Sequence, residues 1–326
     1  MNRQSSHIIV VKGGWLTTVQ DLGRHGYQQY GVPVAGAMDS FSAVVANRLV
    51  GNPDQAAVLE LTLKGPELQF ERDTAIAITG ADLSPTINGC TVPLWQSILV
   101  PYGGRLSFGK QRTGTRAYLA IAGGIDVPLV LGSRSTHCVS ETGGLRGRPL
   151  KPGDSLCAGE PVQSVKQLIG NRLPHHLLPH YNRTSILRII PGPQQNFFSN
   201  TSLATLMEAT YIVSPQSDRM GYRLTGPKVA RKGSMPFISD GTTMGALQVP
   251  PDGQPILLMA DRQTTGGYPK IAVVISADLP LAAQLAPGDT VAFAPCTVAQ
   301  AQTALRKHRA QLDAALPPQD TLFLLE

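Results

Sequence analysis

The 326-residue sequence has few cysteines, few aromatic residues and no long apolar run. Its four cysteines are far apart and form no Cys-x-x-Cys pair, which argues against a zinc ribbon or a disulfide framework. No apolar run approaches the roughly 18 residues that span a bilayer, and the apolar stretch at 8–11 is too short for a signal-peptide core. We therefore expect a soluble cytoplasmic protein with reduced thiols and no membrane association.

Charge is also sparse, because Asp, Glu, Lys and Arg make up 15% of the chain, against about 25% in an average soluble protein. Together with 42% hydrophobic residues, this composition argues against disorder of the whole chain. The formal net charge of +6 can help to attract an anionic substrate, but the basic residues are scattered and aromatic residues reach only 6%. We expect no nucleic-acid partner.

Glycine and proline are abundant, and the 33 glycines and 26 prolines favour many short elements joined by tight turns. Asn88-Gly89 predicts one hairpin turn. Short apolar or β-branched runs bounded by turn residues predict strands. These runs are 8–11, 74–78, 97–100, 116–122, 186–190, 255–260, 271–275 and 290–294.

Helices are predicted to be few. Asp39 or Ser40 can cap a helix that ends at Gly51. Further helices are expected over 202–209, briefly from Asp278, and over 298–316, where two prolines stop the pattern. The sequence therefore predicts a mainly β protein with a few short helices and a helical tail.

Two short signatures occur twice in the same order, which indicates an internal duplication. Residues 63–68 match 224–229 around Gly-Pro, and residues 150–156 match 285–291 around Pro-Gly-Asp. The alternative is that Pro-Gly-Asp merely supplies good turn chemistry before a strand. We predict two β-barrel halves, which would leave few open sheet edges. The predicted boundaries are 1–162 for the first half, 163–184 for a linker, 185–297 for the second half and 298–326 for the tail.

Two motif-like patterns are set aside. Residues 104–110 fit the Gly-x4-Gly-Lys start of a phosphate-binding loop, but they lack the final Ser or Thr and precede a predicted strand instead of a helix. His176 and His180 have a helical metal-ligand spacing, but Pro179 disfavours that helix and no nearby carboxylate completes a site. We predict no metal site.

Four polar segments rich in glycine or proline are typical of loops at the mouth of a scaffold. Asp21 and Arg24 lie close together in the first, and Arg24 can bind a carboxylate or phosphate in a bidentate manner. Arg219 and Arg223 offer two further guanidinium groups in the second. The alternative for both segments is a structural turn or ion pair. The four segments are 20–26, 217–223, 248–255 and 261–270.

The segment 261–270 has the composition most typical of a site. Gly266 and Gly267 permit close approach of a ligand to the backbone. The alternative is a plain Gly-Gly hairpin loop between the strands predicted at 255–260 and 271–275. Donors and acceptors around the glycines come from Asp261, Gln263, Thr264, Tyr268 and Lys270.

Six longer motifs occur in order along the chain. They are TTVQDLGRHG at 17–26, GAMD at 36–39, ANRLVGN at 46–52, YLAIAGGIDVP at 118–128, RMGYRL at 219–224 and QTTGGYP at 263–269. Together they resemble the biotin-dependent carboxyltransferase-like family, over about residues 8–297. That family includes the C subunit of 5-oxoprolinase, the antagonist of a sporulation kinase inhibitor, the second subunit of allophanate hydrolase and part of the carboxyltransferase domain of urea carboxylase.

The resemblance implies two cyclophilin-like β-barrel domains, which agrees with the internal repeat. It also implies that the chain is the C subunit of an ATP-dependent 5-oxoprolinase, which converts 5-oxo-L-proline to L-glutamate. Direct partnership is expected with a B subunit of the kinase-inhibitor type, and an A subunit completes the enzyme. The chain alone is expected to be inactive, with ATP and magnesium used by the assembled complex.

Opening an unactivated lactam develops charge that needs cationic and hydrogen-bond stabilisation. On that chemistry, Asp261, Tyr268 and Lys270 are the candidate catalytic residues, in a pocket near the interface with the partner. The candidate substrate-binding residues are Asp21, Arg24, Arg219, Arg223, Gln248, Gln263, Thr264, Thr265, Gly266 and Gly267.

Two other functions stay open. The first is the carboxyltransferase component of a biotin-dependent, urea carboxylase-like enzyme. Because the sequence has no Met-Lys-Met biotinylation motif, biotin would then come on a separate carrier. The second is a non-catalytic regulator that binds a kinase-inhibitor partner protein.

Overall fold

The computed structural model describes residues 6–233 and 238–319. Within these residues the chain divides into two compact units. The first comprises 6–24, 35–181 and 310–319, and the second comprises 25–34, 182–233 and 238–309. Neither unit is continuous in sequence, because the short segment 25–34 belongs to the second unit and the end of the chain to the first.

The first unit is built from two antiparallel sheets. One has the strand order β11-β12-β1-β4-β9-β6-β7 and the other β2-β3-β10-β5-β8. Apolar residues of both sheets, such as Val10, Phe70, Ile78 and Leu119, form one buried core. The strands are β1 (Ser6–Lys12), β2 (Leu16–Gln20), β3 (Val58–Thr62), β4 (Glu67–Phe70), β5 (Thr74–Asp82), β6 (Pro85–Ile87), β7 (Cys90–Thr91), β8 (Ser97–Val100), β9 (Arg105–Phe108), β10 (Thr113–Ile121), β11 (Ile125–Asp126) and β12 (Ser155–Ala158).

The second unit is a closed seven-stranded barrel with the order β13-β20-β17-β18-β15-β14-β21, beside the two-stranded sheet β16-β19. Its first and last strands pair in parallel and close it. The strands are β13 (Thr184–Pro191), β14 (Thr210–Val213), β15 (Gly221–Thr225), β16 (Asp240–Gly241), β17 (Ala246–Gln248), β18 (Ile256–Leu258), β19 (Thr265–Gly266), β20 (Lys270–Val274) and β21 (Thr290–Pro295). The mainly β fold with few helices is confirmed.

The described residues include five α-helices and three short 3-10 helices. The α-helices are α1 (Ser40–Leu49), α2 (Val165–Leu168), α3 (Asn200–Glu208), α4 (Leu279–Ala283) and α5 (Val298–Ala315), and the 3-10 helices are Gln28–Tyr30, His175–Leu177 and Gln195–Phe197. None of these helices combines the length and hydropathy that a membrane span requires. Four of the α-helices match predicted ones, whereas α2 lies inside the stretch predicted as a linker.

Local sequence signals explain several of these elements. The Asp39 carboxylate accepts a hydrogen bond from the Ser42 N–H at 2.9 Å and so caps α1. Asn88 and Gly89 have φ angles of 50° and 83° and form the turn between β6 and β7. All eight predicted strands are present, with ends that shift by a few residues.

The two copies of the Pro-Gly-Asp signature form the same turn. In each copy the Asp carboxylate accepts a hydrogen bond from the N–H three residues earlier, at 2.7 Å for Asp154 and 2.9 Å for Asp289. Gly153 and Gly288 have φ angles of 86° and 89°, a conformation that favours glycine. Both turns also lead into a strand, which the turn chemistry of Pro-Gly-Asp explains by itself. A duplicated origin of the two halves stays a prediction.

Candidate functional site

The connection between β18 and β20 carries most of the predicted site residues. The two strands do not pair with each other, because β17 lies between them and is antiparallel to both. The connection therefore starts at one end of β17 and finishes at the other. The alternative of a simple hairpin loop is wrong, and the predicted residues divide between these two ends.

An ion pair lies at the first end, where the connection leaves β18. Strands β15 and β18 are antiparallel, and the Asp261 N–H donates to the Arg219 carbonyl oxygen at 2.8 Å. This brings the two side chains together. Arg219 donates from Nε to Oδ2 of Asp261 at 2.8 Å and from Nη2 to Oδ1 at 2.9 Å. The pair is bidentate and both side chains are only 7% exposed.

Arg262 lies next to this ion pair and was not among the predicted site residues. It is buried, and it closes a turn in which its N–H donates to the Met259 carbonyl oxygen at 3.3 Å. We call Arg219, Asp261 and Arg262 the arginine cluster. Arg219 and Asp261 were predicted, whereas the only sequence signal for Arg262 is its position inside the glycine-rich segment.

Lys270 lies at the other end of the connection. Its Nζ donates to Oδ2 of Asp240 and to the Gly241 carbonyl oxygen, both at 2.9 Å. The Lys270 side chain is 3% exposed, whereas the Asp240 side chain is 54% exposed. The buried ammonium group of Lys270 therefore donates a hydrogen bond to a carboxylate, that of Asp240, which is exposed to solvent.

Gln194 completes the surroundings of this carboxylate. Its Nε2 donates to Oδ2 of Asp240 at 2.9 Å, and its Oε1 accepts from the Lys270 N–H at 3.1 Å. The hydrogen bond from Lys270, followed by those from the Gly241 N–H and Gln194, holds the pKa of Asp240 below its usual range. Asp240 is consequently ionised at neutral pH. Neither Asp240 nor Gln194 was predicted, and the only sequence signal was the turn dipeptide at 240–241.

Three predicted residues occupy one register row across the barrel. Arg223 pairs with Ile256, which pairs with Gln248, which in turn pairs with Lys270. Gln248 is buried and Arg223 is exposed. We call Arg223, Gln248 and Lys270 the lysine row. Arg223 thus lies in the same register row as Lys270 and outside the arginine cluster, although it is only four residues from Arg219 in sequence.

Gly266 brings the backbone of the connection against two amide side chains. A Cβ at Gly266 would collide with Nε2 of Gln248 and would lie 3.3 Å from Nε2 of Gln263. The amide of Gln263, the residue after Arg262, therefore reaches the side of the connection where Gln248 lies. Gly266 also pairs with Asp240, the acceptor of Lys270, because β16 and β19 are neighbours. The segment from Arg262 to Gly266 therefore runs from the arginine cluster to the lysine row.

The remaining residues of the connection hold it in place or face solvent. The Thr242 N–H donates to the Thr264 carbonyl oxygen at 3.0 Å, and the Thr242 hydroxyl donates to the carbonyl oxygen of Gln263. Thr265, Gly267 and Tyr268 are exposed. These exposed residues are available to a ligand that approaches the connection from solvent.

Asp21 and Arg24 form a separate cluster in the first unit. Oδ1 of Asp21 accepts from the Gly23 N–H at 2.8 Å and from the hydroxyls of Ser133 and Ser135 at 2.7 and 2.5 Å. Its Oδ2 accepts from the Arg134 N–H at 2.5 Å. The carboxylate is therefore surrounded by donors from its own unit.

The Arg24 guanidinium also has hydrogen-bond partners within the first unit. Its Nε donates to the Val130 carbonyl oxygen at 2.8 Å and its Nη2 to that of Ser135 at 3.0 Å. Burial lowers the pKa of Arg24, and the charge of Asp21 partly opposes this shift. These contacts suit a structural role, and a direct role of Asp21 and Arg24 in substrate binding stays a prediction.

The GAMD motif also has a buried network of the first unit around it. The Tyr118 hydroxyl donates to Oε2 of Glu60 at 2.7 Å and accepts from the Asp39 N–H at 2.8 Å. Burial, together with the charge of Glu60, raises the pKa of Tyr118 well above its usual value. A neutral tyrosine therefore positions the start of α1. Over the described ranges, no group of three or more His, Cys, Asp or Glu residues is close enough to hold a metal ion.

Known proteins resemble the chain over most of its length. The carboxyltransferase domain family, subdomain A and B, matches residues 30–295. The C subunit of 5-oxoprolinase from Escherichia coli is 40% identical over 299 residues, covering 90% of this chain and 92% of that protein. The protein of the same name from Haemophilus influenzae is 35% identical over 297 residues, covering 91% and 93%. Both relatives are named as subunits of a larger enzyme.

A solved structure is similar as well. The urea carboxylase of Kluyveromyces lactis gives a TM-score of 0.88 at 33% identity, and the match covers all of this chain. This chain spans only 30% of that urea carboxylase. On the extent of these matches, the chain belongs to the carboxyltransferase domain family, subdomain A and B.

Proposed function

We propose that this chain is the C subunit of a multi-subunit 5-oxoprolinase, which opens the lactam of 5-oxo-L-proline to give L-glutamate. The observation that carries the proposal is the 40% identity to the Escherichia coli protein of that name, which extends over 92% of that protein. The match to urea carboxylase involves only 30% of a longer chain. Similarity along nearly the whole relative favours the same role as a separate subunit.

The groups around the lysine row suit an amide substrate. A lactam offers one N–H donor and one carbonyl acceptor. The exposed, ionised carboxylate of Asp240 can accept from the N–H, and the amides of Gln248 and Gln263 can donate to the carbonyl oxygen. The buried charge of Lys270 can stabilise negative charge that develops on that oxygen.

Asp261 has a different role in this proposal. Both of its carboxylate oxygens accept hydrogen bonds from Arg219, so we assign it to positioning the connection between β18 and β20. Tyr268 and Thr265 are exposed on the same connection and are proposed to contact substrate. Lys270 remains the proposed catalytic residue, with Asp240 added beside it.

We assign the use of ATP and magnesium to the assembled complex. The stretch 104–110, which resembles a phosphate-binding loop, lies largely in β9, so it does not supply a helix N-terminus to cradle phosphate. We therefore derive no step through ATP within this chain. The A and B subunits are proposed to supply the nucleotide site, with the B subunit as the direct partner.

A leave-one-out reconstitution tests the proposal. The chain is mixed with candidate A and B subunits, ATP, magnesium and 5-oxo-L-proline, and glutamate is measured. We expect glutamate only when all three proteins are present. Activity that persists without this chain would show that it is not part of the enzyme.

Single substitutions then test the assignment of residues. Lys270→Met is expected to lower kcat of the complex by about 100-fold, as loss of an electrostatic contact to the reacting oxygen does. Asp240→Asn removes the proposed acceptor of the lactam N–H and is expected to lower kcat as well. Arg183→Met is the matched control, because Arg183 is exposed and pairs with Asp289 at the barrel surface. Unchanged kcat in both site variants would place the chemistry elsewhere.

The similarity to urea carboxylase favours a second candidate, the carboxyltransferase component of a biotin-dependent enzyme. This function predicts capture of the chain by a biotinylated carrier protein, and ATP- and bicarbonate-dependent carboxylation of urea. A third candidate, a non-catalytic regulator, predicts binding to the B subunit with no contribution to turnover. Reconstitution assays with each substrate distinguish all three functions.

A further inference from the structure

The arginine cluster holds an excess of buried positive charge. Arg219, Asp261 and Arg262 are only 6%, 6% and 7% exposed. Two guanidinium groups and one carboxylate give the cluster a net charge of +1. Because burial of an unbalanced charge is costly, the cluster is suited to receive one further negative group.

The hydrogen bonds identify Arg262 as the unbalanced member. Both oxygens of Asp261 are engaged by Arg219. Arg262 donates from Nη1 to the Met259 carbonyl oxygen at 3.3 Å, and its buried Nε has no hydrogen-bond partner among the described residues. A guanidinium has five N–H donors, so donor capacity is left over. Burial lowers the pKa of Arg262, and Asp261 only partly opposes this shift.

Two buried guanidinium groups of the first unit show other ways to accommodate the charge. Nε of Arg116 lies 4.0 Å from Oε1 of Glu60, a carboxylate that balances its charge. Nε and Nη2 of Arg24 both donate to backbone carbonyl oxygens, at 2.8 and 3.0 Å. The corresponding Nε of Arg262 has no such acceptor within the described ranges. Arg262 therefore differs from Arg24 in having an Nε donor that no described residue accepts.

We propose that Arg262 binds the carboxylate of a small-molecule ligand, while the Arg219–Asp261 pair holds the turn that presents it. Guanidinium and carboxylate groups match through two parallel hydrogen bonds. The inference rests on the proposed function in one respect, because 5-oxo-L-proline carries one carboxylate. Arg262 then selects the acid over an uncharged lactam.

The position of Arg262 fits a ligand whose lactam contacts the lysine row. The next residue, Gln263, places its amide beside Gly266, where Gln248 also lies. The pairing of Gln248 with Ile256 puts the row at the start of β18, and Arg262 follows the end of that strand. β18 is three residues long and spans about 10 Å, and Arg262 follows it in the turn that returns to Met259. The proposal places the ligand between this turn and the amides of Gln248 and Gln263.

Substrate discrimination by the full complex tests this inference. Rates are measured with 5-oxo-L-proline and with 2-pyrrolidinone, which lacks the carboxylate. Arg262→Met is expected to raise KM for 5-oxo-L-proline by about 100-fold, as loss of a charge-assisted pair does, and to leave kcat/KM for 2-pyrrolidinone unchanged. Arg262→Lys is expected to restore part of the loss, because it keeps the charge but not the bidentate geometry. Arg183→Met again serves as the matched control.

Ligand-induced stabilisation of the chain alone gives a second measurement. Thermal unfolding is followed in sodium chloride, sodium acetate, sodium phosphate and sodium 5-oxo-L-prolinate at equal ionic strength. We expect the two carboxylates to raise Tm of the wild type and of Arg183→Met, but not of Arg262→Met. Without carboxylate, Tm of Arg262→Met should equal or exceed that of the wild type, because an unbalanced buried charge has been replaced by an apolar group.

The outcomes separate this inference from the proposed function. If the complex does not open 5-oxo-L-proline but carboxylates stabilise the wild type through Arg262, the proposed function fails and the carboxylate site stands. If the complex is active and Arg262→Met keeps both KM and the preference for the acid, the carboxylate site is overturned. A lower Tm of ligand-free Arg262→Met with no carboxylate effect on the wild type would make Arg262 structural. Stabilisation by phosphate alone would likewise overturn the assignment to a carboxylate.

Discussion

Two buried arginines with similar sequence neighbours have different hydrogen-bonding environments. Arg24 follows Asp21 in the first unit, and Arg262 follows Asp261 in the second. Arg24 donates from two nitrogens to backbone carbonyl oxygens, whereas the buried Nε of Arg262 has no partner among the described residues. An Asp and an Arg close together in sequence therefore do not by themselves indicate a binding site. Whether the arginine keeps N–H groups without an acceptor depends on carbonyl oxygens from distant parts of the chain.

The two carboxylates differ in the same way. Asp21 accepts hydrogen bonds from the side chains of Ser133 and Ser135 and from two backbone N–H groups. Asp261 instead accepts two hydrogen bonds from the guanidinium of Arg219. The first carboxylate ties together a folded unit, and the second orients one arginine beside another. Substitutions should affect stability most in the first unit and ligand recognition most in the second.

The largest expected effect is that of Asp21→Ala. The change leaves several buried donors without an acceptor and the charge of Arg24 unbalanced, so we expect a loss of about 4 kcal/mol in the free energy of unfolding. Urea denaturation of the purified chain measures it. Asp126→Ala, which removes a carboxylate that is 66% exposed, should change stability by less than about 0.5 kcal/mol. Equal effects of the two substitutions would show that the network around Asp21 does not stabilise the first unit.

The next effect should come from Asp261→Asn, which removes the carboxylate that pairs with Arg219 and lies beside the buried guanidinium of Arg262. We expect a loss of about 3 kcal/mol. Adding Arg262→Met to Asp261→Asn should recover part of the loss, because one of the two cations is then absent. A double-mutant cycle in urea should give a coupling of about 1 kcal/mol between the two positions. Strictly additive effects would mean that Asp261 and Arg262 do not interact electrostatically.

Gly266→Ala should have a smaller effect. Its Cβ would collide with Nε2 of Gln248, so the buried amide must shift. Overpacking of this kind costs about 1–2 kcal/mol. At Gly241 no atom of the described structure lies within 4 Å of an added Cβ, so Gly241→Ala is the matched control and should be neutral in thermal unfolding. Equal Tm values for both variants would contradict the close packing of the connection.

The smallest expected effect is the titration of Asp240. Its pKa should lie below the usual value of about 3.9, because Lys270 donates to the carboxylate. A depressed pKa contributes stability that is fully present above about pH 4 and is lost as the pH falls through the pKa of the folded state. NMR titration of the side-chain carboxyl carbon measures the value. In Lys270→Met the pKa should rise, and an unchanged value would show that Lys270 does not support this carboxylate.

Local structure was largely predictable because its causes are local. The cap at Asp39 and the turn at Asn88-Gly89 depend on neighbouring residues, and both were predicted. The β-branched runs that became strands carry their own pattern. Family membership was also predicted, from motifs that are long and ordered, and it is confirmed.

The site was predictable only in part because its contacts are distant in sequence. Lys270 was predicted, but Asp240 lies 30 residues and Gln194 lies 76 residues away from it. They meet because β16 pairs with β19 and because the turn after β13 packs on β20. Likewise, the hydrogen-bond partners of Asp21, Ser133 and Ser135, lie 112 and 114 residues away, so the sequence did not predict its surroundings. Its role in substrate binding stays a prediction. No local pattern encodes either arrangement.

The parallel pairing that closes the barrel has a consequence for biosynthesis. β13 pairs with β21 from Thr184 and Thr290 onward, across 106 residues of chain. At typical rates of translation, synthesis of this interval takes roughly 5–20 s. Until then, the edge of β13 that pairs with β21 has no strand to pair with. Folding of the second unit is therefore expected to finish late and slowly, since long-range pairing must follow synthesis of β21. During this interval the nascent chain is most exposed to edge-to-edge aggregation, and chaperones would have the greatest influence on its yield.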